Sequence, residues 1–348
     1  MPVTQQRIMA ILNYSKRLSN LQSRRYDREL NESIISKSFS TSGLPDNIKY
    51  FLESMKPIDK KYNDRTILAA DRIMKHLEDG FGLHFGRAYR KQGSVPTRTN
   101  IKAHSDIDLL TIIDRYVYQD PSRPNTNPYT FSSPPDDIKL LRKQALEILR
   151  DIYDEVDDSN EKCITVFNKA LWRKIDVVFC FWYNTEEYER TSNEYYRGIK
   201  FKASSLTPDY PFAHLYQVNQ KGDATMDGAR RAIRLLKTLK ADSDNDLELL
   251  KGFQLTSVIH SMDNNLLYYR PGKDIDIAQA VSGHLNVIIN NPDYRTSIQS
   301  PNGCEKPFGD SMIVKDLRLL KEDLDTLIED ASKEIRGSWS VKNALVTY

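Results

Sequence analysis

Two aspartates at the start of an apolar run constrain this chain more than any other feature. The run covers residues 106–113 and is rich in β-branched residues, which predicts a buried strand. Side chains alternate between the two faces of a strand, so Asp106 and Asp108 are expected to share one face. Two such carboxylates repel each other unless a cation lies between them. The pattern therefore predicts a site for a hard divalent ion, most naturally Mg²⁺.

A glycine and a serine precede this strand by a short loop. Gly93 provides a flexible backbone turn and Ser94 provides a hydroxyl. Backbone amides at such a turn, or at the start of a helix, can bind phosphate. Metal-binding carboxylates beside a phosphate-binding turn indicate nucleotidyl transfer.

A third acid is predicted on another strand. The segment 174–183 is the strongest strand signal in the chain, and Asp176 lies near its start among apolar residues. Two-metal phosphoryl chemistry holds ions about 3.5–4 Å apart and needs more than two carboxylates. If this strand pairs beside the strand of Asp106 and Asp108, Asp176 becomes the third ligand.

The same tripeptide occurs a second time and serves as an internal control. Asp274, Ile275 and Asp276 follow a Pro-Gly-Lys turn and precede an apolar run with helical spacing. No Gly-Ser precedes them and no strand pattern follows. This copy is expected to be a helix start, where acids are favoured by the helix dipole.

Taken together, the Gly-Ser turn, the Asp-Ile-Asp strand and the distal aspartate resemble the cGAS/DncV-like nucleotidyltransferases (CD-NTases), bacterial relatives of the oligoadenylate synthases. The matching positions are Gly93, Ser94, Asp106, Asp108 and Asp176. The resemblance covers most of the chain and its motifs are stronger in the N-terminal half. It implies an α+β fold, in which a polymerase β-like mixed sheet with helices is followed by a helical C-terminal lobe.

The resemblance also implies an activity. The enzyme would make a cyclic di- or trinucleotide messenger from ATP, or from GTP, UTP or CTP, with two Mg²⁺ ions or Mn²⁺, in anti-phage signalling. Asp176 is the best candidate to accept the proton of the attacking hydroxyl. Two other interpretations stay open. One is a linear nucleotidyltransferase acting on RNA, nucleotides or protein, and the other is an inactive module that binds nucleotide or nucleic acid.

Two further residues are candidates for binding the donor nucleotide. Lys237 lies in a Leu-Leu-Lys context in which the family places a lysine that reaches the triphosphate. Phe253 stands where the family has an aromatic residue that stacks on the base. Both residues also fit ordinary amphipathic helices. Gly252 replaces the serine often found in the family at that position.

Composition limits the partners. Lys and Arg total 50 against 48 Asp and Glu, a net charge of +2, so a protein built to coat nucleic acid is disfavoured. No zinc insertion like that of the DNA-sensing animal relatives is present, so a nucleic acid activator is not expected, whereas a regulatory protein partner is compatible with the family. The sequence has no membrane-spanning run or signal-peptide core, and its 3 cysteines are scattered. These features predict a cytoplasmic protein.

The pattern of elements predicts two domains, a nucleotidyltransferase core with N-terminal helices at 1–205 and a helical lobe at 206–348. Helices are predicted at 59–77, 136–156, 225–240, 247–269, 275–289 and 312–336, strands at 81–92, 106–113, 163–168, 171–183 and 198–203, and a loop at 119–135.

Overall fold

The computed structural model describes residues 12–26, 43–118, 132–201, 207–338 and 341. The predicted loop at 119–135 falls largely outside this range. The described elements, in chain order, are α1 (Tyr14–Arg25), α2 (Asp46–Met55), α3 (Lys60–Gly80), β1 (Arg87–Gln92), β2 (Ile107–Tyr118), α4 (Pro134–Ile152), β3 (Glu155–Asp157), β4 (Cys163–Asn168), β5 (Arg173–Asn184), α5 (Glu186–Thr191), a 3₁₀ turn (Glu194–Tyr196), β6 (Arg197–Lys200), α6 (Pro211–Ala224), α7 (Gly228–Asp242), α8 (Gly252–His260), α9 (Asn264–Leu267), α10 (Asp274–Asn290), α11 (Pro292–Ser297) and α12 (Ile313–Gly337).

The chain divides into two compact units. The sheet unit is Ile58–Gln217, and the helical unit combines Met1–Pro57 with Val218–Tyr348. The first helices thus belong to the same compact unit as the C-terminal ones. The functional boundary at 205/206 stays a prediction.

The sheet unit contains one mixed sheet with the strand order β1-β2-β5-β4-β3, and β6 also pairs with β5. Strands β2 and β5 run parallel, whereas β1 is antiparallel to β2 and β4 is antiparallel to β5. A parallel pair needs a crossover connection, and the chain between β2 and β5 contains α4, β3 and β4. The expected adjacency of the two acidic strands is confirmed.

The two faces of this sheet have different surroundings. Ile107, Leu109, Ile175 and Val177 are fully buried on one face, where α3 and α4 contribute to the same core cluster. The opposite face carries a smaller apolar cluster that includes Trp182 further along β5. Because side chains alternate along a strand, residues 108 and 176 lie on this second face.

The helical unit has its own core. Its buried cluster draws on α1, α2, α7, α8, α10 and α12, whose apolar residues recur at helical spacing. Within residues 12–26, 43–118, 132–201, 207–338 and 341, every helix is too short or too polar to span a bilayer.

Several boundaries differ from the sequence prediction for local physical reasons. The helix predicted at 136–156 ends at Ile152, because Glu155–Asp157 forms a strand against β4. The span 247–269 is two helices, and the second begins where the Asp263 side chain accepts a hydrogen bond from the Asn265 amide, 2.7 Å away. Helix α6 was not predicted; it begins at Pro211, and proline is favourable in a first helical turn.

Candidate active site

Asp108 and Asp176 are direct neighbours across the parallel pair of strands. Their Cα atoms are register partners, with Ile107 opposite Ile175 one residue earlier. The isoleucines occupy the buried face, so the aspartates must occupy the other. Asp106 immediately precedes β2 and is more exposed than Asp108. The structure therefore brings together the three acids that the sequence singled out.

Asp108 on β2 and Asp176 on β5 each accept a hydrogen bond from a side chain on the strand that flanks this central pair. Gln92, the register partner of Asp108 on β1, donates from Nε2 to Oδ2 at 3.1 Å. Thr165, the register partner of Asp176 on β4, donates from Oγ1 to Oδ1 at 2.6 Å. Sequence reasoning missed both donors, since only the strand register shows that they face the acids. They fix the orientation of the carboxylates without adding charge.

The electrostatics of the site are those of crowded negative charge. Burial raises the pKa of Asp106, and the charge of Asp176 adds to this rise. Burial likewise raises the pKa of Asp108, with further contributions from Asp176 and Asp106, although the Gln92 hydrogen bond opposes the rise. The Nζ atom of Lys174 lies 4.0 Å from Asp176 Oδ1, and the charge of this lysine lowers the pKa of both other aspartates.

The donor set suits a hard divalent cation. All three side chains offer carboxylate oxygens, which Mg²⁺ and Mn²⁺ prefer. Their negative charges repel one another, so a bound cation would stabilise the cluster. In the described part of the chain, no group of three or more His, Cys, Asp or Glu side chains is already arranged to hold a metal ion. The acids thus fit such an ion by chemistry, and side-chain rotation would have to complete the coordination.

The Gly-Ser turn follows β1 directly. Gly93 has φ of +106°, a left-handed conformation that other residues rarely adopt, so glycine is required here by the backbone. The Ser94 carbonyl accepts hydrogen bonds from the Thr99 amide at 3.0 Å and from Thr97 Oγ1 at 3.1 Å. These bonds stabilise a compact turn at the end of the strand next to Asp108.

The two predicted donor-nucleotide residues lie close together in the helical unit. Gly252 begins α8, and Phe253 follows it. A Cβ added at Gly252 would lie 3.4 Å from Cε and 3.7 Å from Nζ of Lys237 on α7. Burial lowers the pKa of the Lys237 ammonium to about 8, and the charge of Arg234 acts in the same direction. A desolvated cation beside a helix N-terminus is a favourable environment for an anion.

The second Asp-Ile-Asp has no such environment. Asp274 and Asp276 lie in the first turn of α10, as the sequence predicted. The Asp274 carboxylate is buried and forms an ion pair with Arg231, 2.9 Å away. Asp276 is exposed and forms an ion pair with Lys273. Both acids are therefore already neutralised by side chains.

The chain was compared with known proteins. No family model matches the chain. It is 29% identical to the cyclic dinucleotide synthase CdnE of Yersinia aleksiciae, over 87% of this chain and 82% of that protein. It is 28% identical to a c-di-GMP synthase of Capnocytophaga granulosa, over 91% and 95% of the two chains.

Solved structures give the same result. The structure of the STING-associated CdnE c-di-GMP synthase from Capnocytophaga granulosa has a TM-score of 0.77 at 27% identity, covering 92% of this chain and 99% of that one. The corresponding enzyme from Flavobacteriaceae sp. has a TM-score of 0.79 at 24% identity, over 92% and 99%, and shows the shared fold.

The mixed sheet with its three adjacent acids and the helical C-terminal part define a nucleotidyltransferase fold. Over most of its length the chain is similar to cyclic dinucleotide synthases of the CdnE type, which are cGAS/DncV-like nucleotidyltransferases (CD-NTases).

Proposed function

We propose that this protein joins two nucleoside triphosphates into a cyclic dinucleotide and that its product is c-di-GMP. It is an enzyme, a nucleotidyltransferase that uses NTP substrates. The observation that carries the proposal is the register of β2 and β5, which sets Asp108 and Asp176 side by side. The choice of c-di-GMP rests on relatives named as c-di-GMP synthases, two of which match at 28% and 29% identity.

Different residues of the sheet unit have different roles in the proposed reaction. The turn at Gly93 and Ser94 binds the phosphates of the donor, and Asp106 and Asp108 would hold a divalent cation beside them. Asp176 accepts the proton of the acceptor ribose hydroxyl, whose oxygen then bonds to the donor α-phosphorus as pyrophosphate leaves. A second transfer with the roles of the two nucleotides exchanged closes the ring.

Mg²⁺ or Mn²⁺, when bound to Asp106, Asp108 and Asp176, supplies charge neutralisation for the phosphates and polarises the reacting oxygens. The Thr165 hydroxyl keeps Asp176 turned toward the reacting face through its 2.6 Å hydrogen bond. Gln92 does the same for Asp108. These neutral donors orient the carboxylates while leaving their charge available for the cation.

In the helical unit, Lys237 and the N-terminus of α8 bind the donor triphosphate, and Phe253 stacks on the donor base. The support is the 3.7 Å separation between Lys237 Nζ and a Cβ built at Gly252. A serine hydroxyl is not needed at residue 252 for this contact, because the ammonium already lies beside the helix start.

The role proposed for the product is anti-phage signalling, in which the cyclic dinucleotide activates a separate effector. This follows the relative from Capnocytophaga granulosa, which is named as STING-associated. Control by a protein partner is proposed rather than control by nucleic acid, since the net charge of +2 offers little attraction for a polyanion.

The test is incubation of the purified protein with labelled GTP and Mg²⁺, followed by phosphatase and mass spectrometry. We expect a phosphatase-resistant product with the mass of c-di-GMP, and none from the double variant Asp106→Ala/Asp108→Ala. A product with a phosphatase-labile end would instead identify a linear transferase. Nucleotide binding without turnover, measured by titration calorimetry, would identify an inactive binding module, and full activity of the double variant would refute the proposal.

A further inference from the structure

An aromatic pair lies on the same face of the sheet as Asp176. Strand register pairs Thr165 with Asp176 and Phe167 with Lys174, so these four side chains share one face. Trp172, in the turn between β4 and β5, packs edge-to-face on Phe167, with ring centroids 5.0 Å apart and planes at 78°. Phe167 is two residues, about 7 Å along β4, from Thr165, the register partner of Asp176.

The backbone of Trp172 is held in an unfavourable conformation. Its φ of 55° is left-handed, a region that bulky residues seldom occupy. Its carbonyl oxygen accepts a hydrogen bond from Nη1 of the fully buried Arg173 and lies 2.9 Å from His104 Nδ1. Backbone strain of this kind persists where surrounding contacts impose it, and it concentrates at functional sites.

The exposure of this ring is at odds with a purely packing role. Trp172 is 46% exposed, whereas Trp182, on the same face further along β5, is fully buried. The side chain of Lys174, between the aromatic pair and Asp176, is 47% exposed. An exposed indole, a cation and a carboxylate side by side match the base, phosphate and ribose hydroxyl of a nucleotide.

The strand order indicates which of the two nucleotides this is. The Gly93 turn follows β1, Asp108 lies on β2, Asp176 on β5 and Phe167 on β4, and these strands are consecutive in the sheet. The phosphate-binding turn and the aromatic pair are thus on opposite sides of the two inner acids. On the proposed mechanism the donor phosphates lie on the β1 side. The acceptor loses its hydroxyl proton to Asp176 and therefore lies on the β4 side.

We propose that the aromatic pair is the stacking platform for the base of the acceptor nucleotide, a purine nucleoside triphosphate, with Lys174 near its phosphates. The inference rests on the proposed function. Stacking on an indole accepts any base, so the platform contributes affinity for the acceptor and leaves base selection to hydrogen-bonding groups elsewhere.

The experiment separates donor from acceptor. 2′,3′-Dideoxy-GTP lacks an attacking hydroxyl and serves only as donor, whereas α,β-methylene-GTP cannot release pyrophosphate and serves only as acceptor. With Mg²⁺, these two analogues together support a single transfer, which gives a linear product. For Trp172→Asn we expect the KM for the acceptor to rise about tenfold or more, with the KM for the donor unchanged, because one base-stacking contact is lost. Asparagine tolerates the left-handed backbone, so the fold should be retained.

The matched control is Tyr216→Ala. Tyr216 is 53% exposed and packs edge-to-face on Tyr195 at 5.2 Å, so it is also an exposed ring of an aromatic pair in the sheet unit. We expect both KM values to be unchanged in this variant. Trp172→Phe should keep the acceptor KM within about threefold, since a phenyl ring still stacks.

Binding without turnover gives an independent readout. Titration of α,β-methylene-GTP should quench tryptophan fluorescence in the parent protein, and the quench should be lost in Trp172→Phe. An unchanged acceptor KM in Trp172→Asn, with thermal unfolding showing an intact fold, overturns the platform while leaving the proposed function in place. Absence of any cyclic product from the parent protein overturns the proposed function instead, and the quench still reports whether a nucleotide contacts Trp172.

Discussion

The two Asp-Ile-Asp tripeptides of this chain are identical in sequence and opposite in environment. Asp108 lies on a strand beside a third acid, and its pKa is raised by burial and by the charges of Asp176 and Asp106. Asp274 lies in the first turn of a helix and is paired with Arg231. The first copy leaves negative charge for a cation from solution, whereas the second is neutralised within the fold. The neighbours of a tripeptide, rather than the tripeptide itself, decide its chemistry.

The largest expected difference between the two copies is in activity. Asp106→Asn/Asp108→Asn should lower kcat for cyclic dinucleotide formation by about 10³-fold or more, because the charge that binds the metal is removed. Asp276→Asn, which removes an exposed acid of the second copy, should leave kcat within about twofold of the parent. Steady-state assays of both variants provide the measurement, and comparable losses in the two would remove the distinction.

Stability should show the reverse order. Asp274→Ala leaves the Arg231 guanidinium without its buried partner and should lower the free energy of unfolding by about 2–3 kcal/mol. Asp108→Asn relieves repulsion and should be neutral or stabilising in metal-free buffer. Urea denaturation of both variants gives the two free energies. A stable Asp274→Ala protein would show that the ion pair contributes little.

Acid should weaken the helical unit that contains the second copy. Burial lowers the pKa of His260 and of His284 to about 4 from an ordinary value of 6.5. Between these pH values the unfolded chain binds more protons than the folded one, so stability is full above pH 6.5 and is lost as the pH falls toward 4. The loss should be on the order of 1 kcal/mol for each ring, since both are partly exposed.

Urea denaturation between pH 7.5 and 4.5 measures this loss, and the matched variant His260→Gln/His284→Gln isolates it from the other titrating groups. The difference in slope between parent and variant should disappear above pH 6.5. Identical slopes over the whole range would mean that these two rings titrate normally.

A smaller effect is expected when the hydrogen bond between Thr165 and Asp176, beside the first Asp-Ile-Asp copy, is removed. Thr165→Val removes the hydrogen bond to Asp176 with little change in shape and should lower both kcat and Mn²⁺ affinity by about tenfold. Thr165→Ser keeps the hydroxyl and should recover most of both. Mn²⁺ titration followed by electron paramagnetic resonance provides a readout that does not depend on turnover. Loss in Thr165→Val without recovery in Thr165→Ser would indicate a packing effect.

The sequence predicted the acidic strands well because their signals are local. β-Branched runs around Asp108 and Asp176 identify two strands, and adjacency of the strands was the one assumption needed. The contacts of Thr165 and Gln92 could not be predicted, since they depend on register across residues far apart in the chain. Helix α6 was not predicted from the sequence, and the structure shows that it begins at Pro211, a position in the first turn where proline is favourable.

The platform at Trp172 shows a different limit. The sequence analysis placed Trp172 in the predicted strand 171–183, and nothing in the sequence marks it as exposed or strained. The backbone angle and the contact with Phe167 reveal its setting in the turn before β5. Lys237 shows the converse: its sequence context named it, whereas its closeness to Gly252 is a property of how two helices pack.

The parallel pairing of β2 with β5 also has a consequence for how the protein folds during its synthesis. Asp106 and Asp108 leave the ribosome well before residue 176, and the segment between them must first make its crossover and hairpin. If the three acids act together as proposed, a nascent or truncated chain that lacks β5 is expected to be inactive. On the proposed mechanism, synthesis of the messenger would begin only after β2 and β5 have paired, so an incomplete copy would release none.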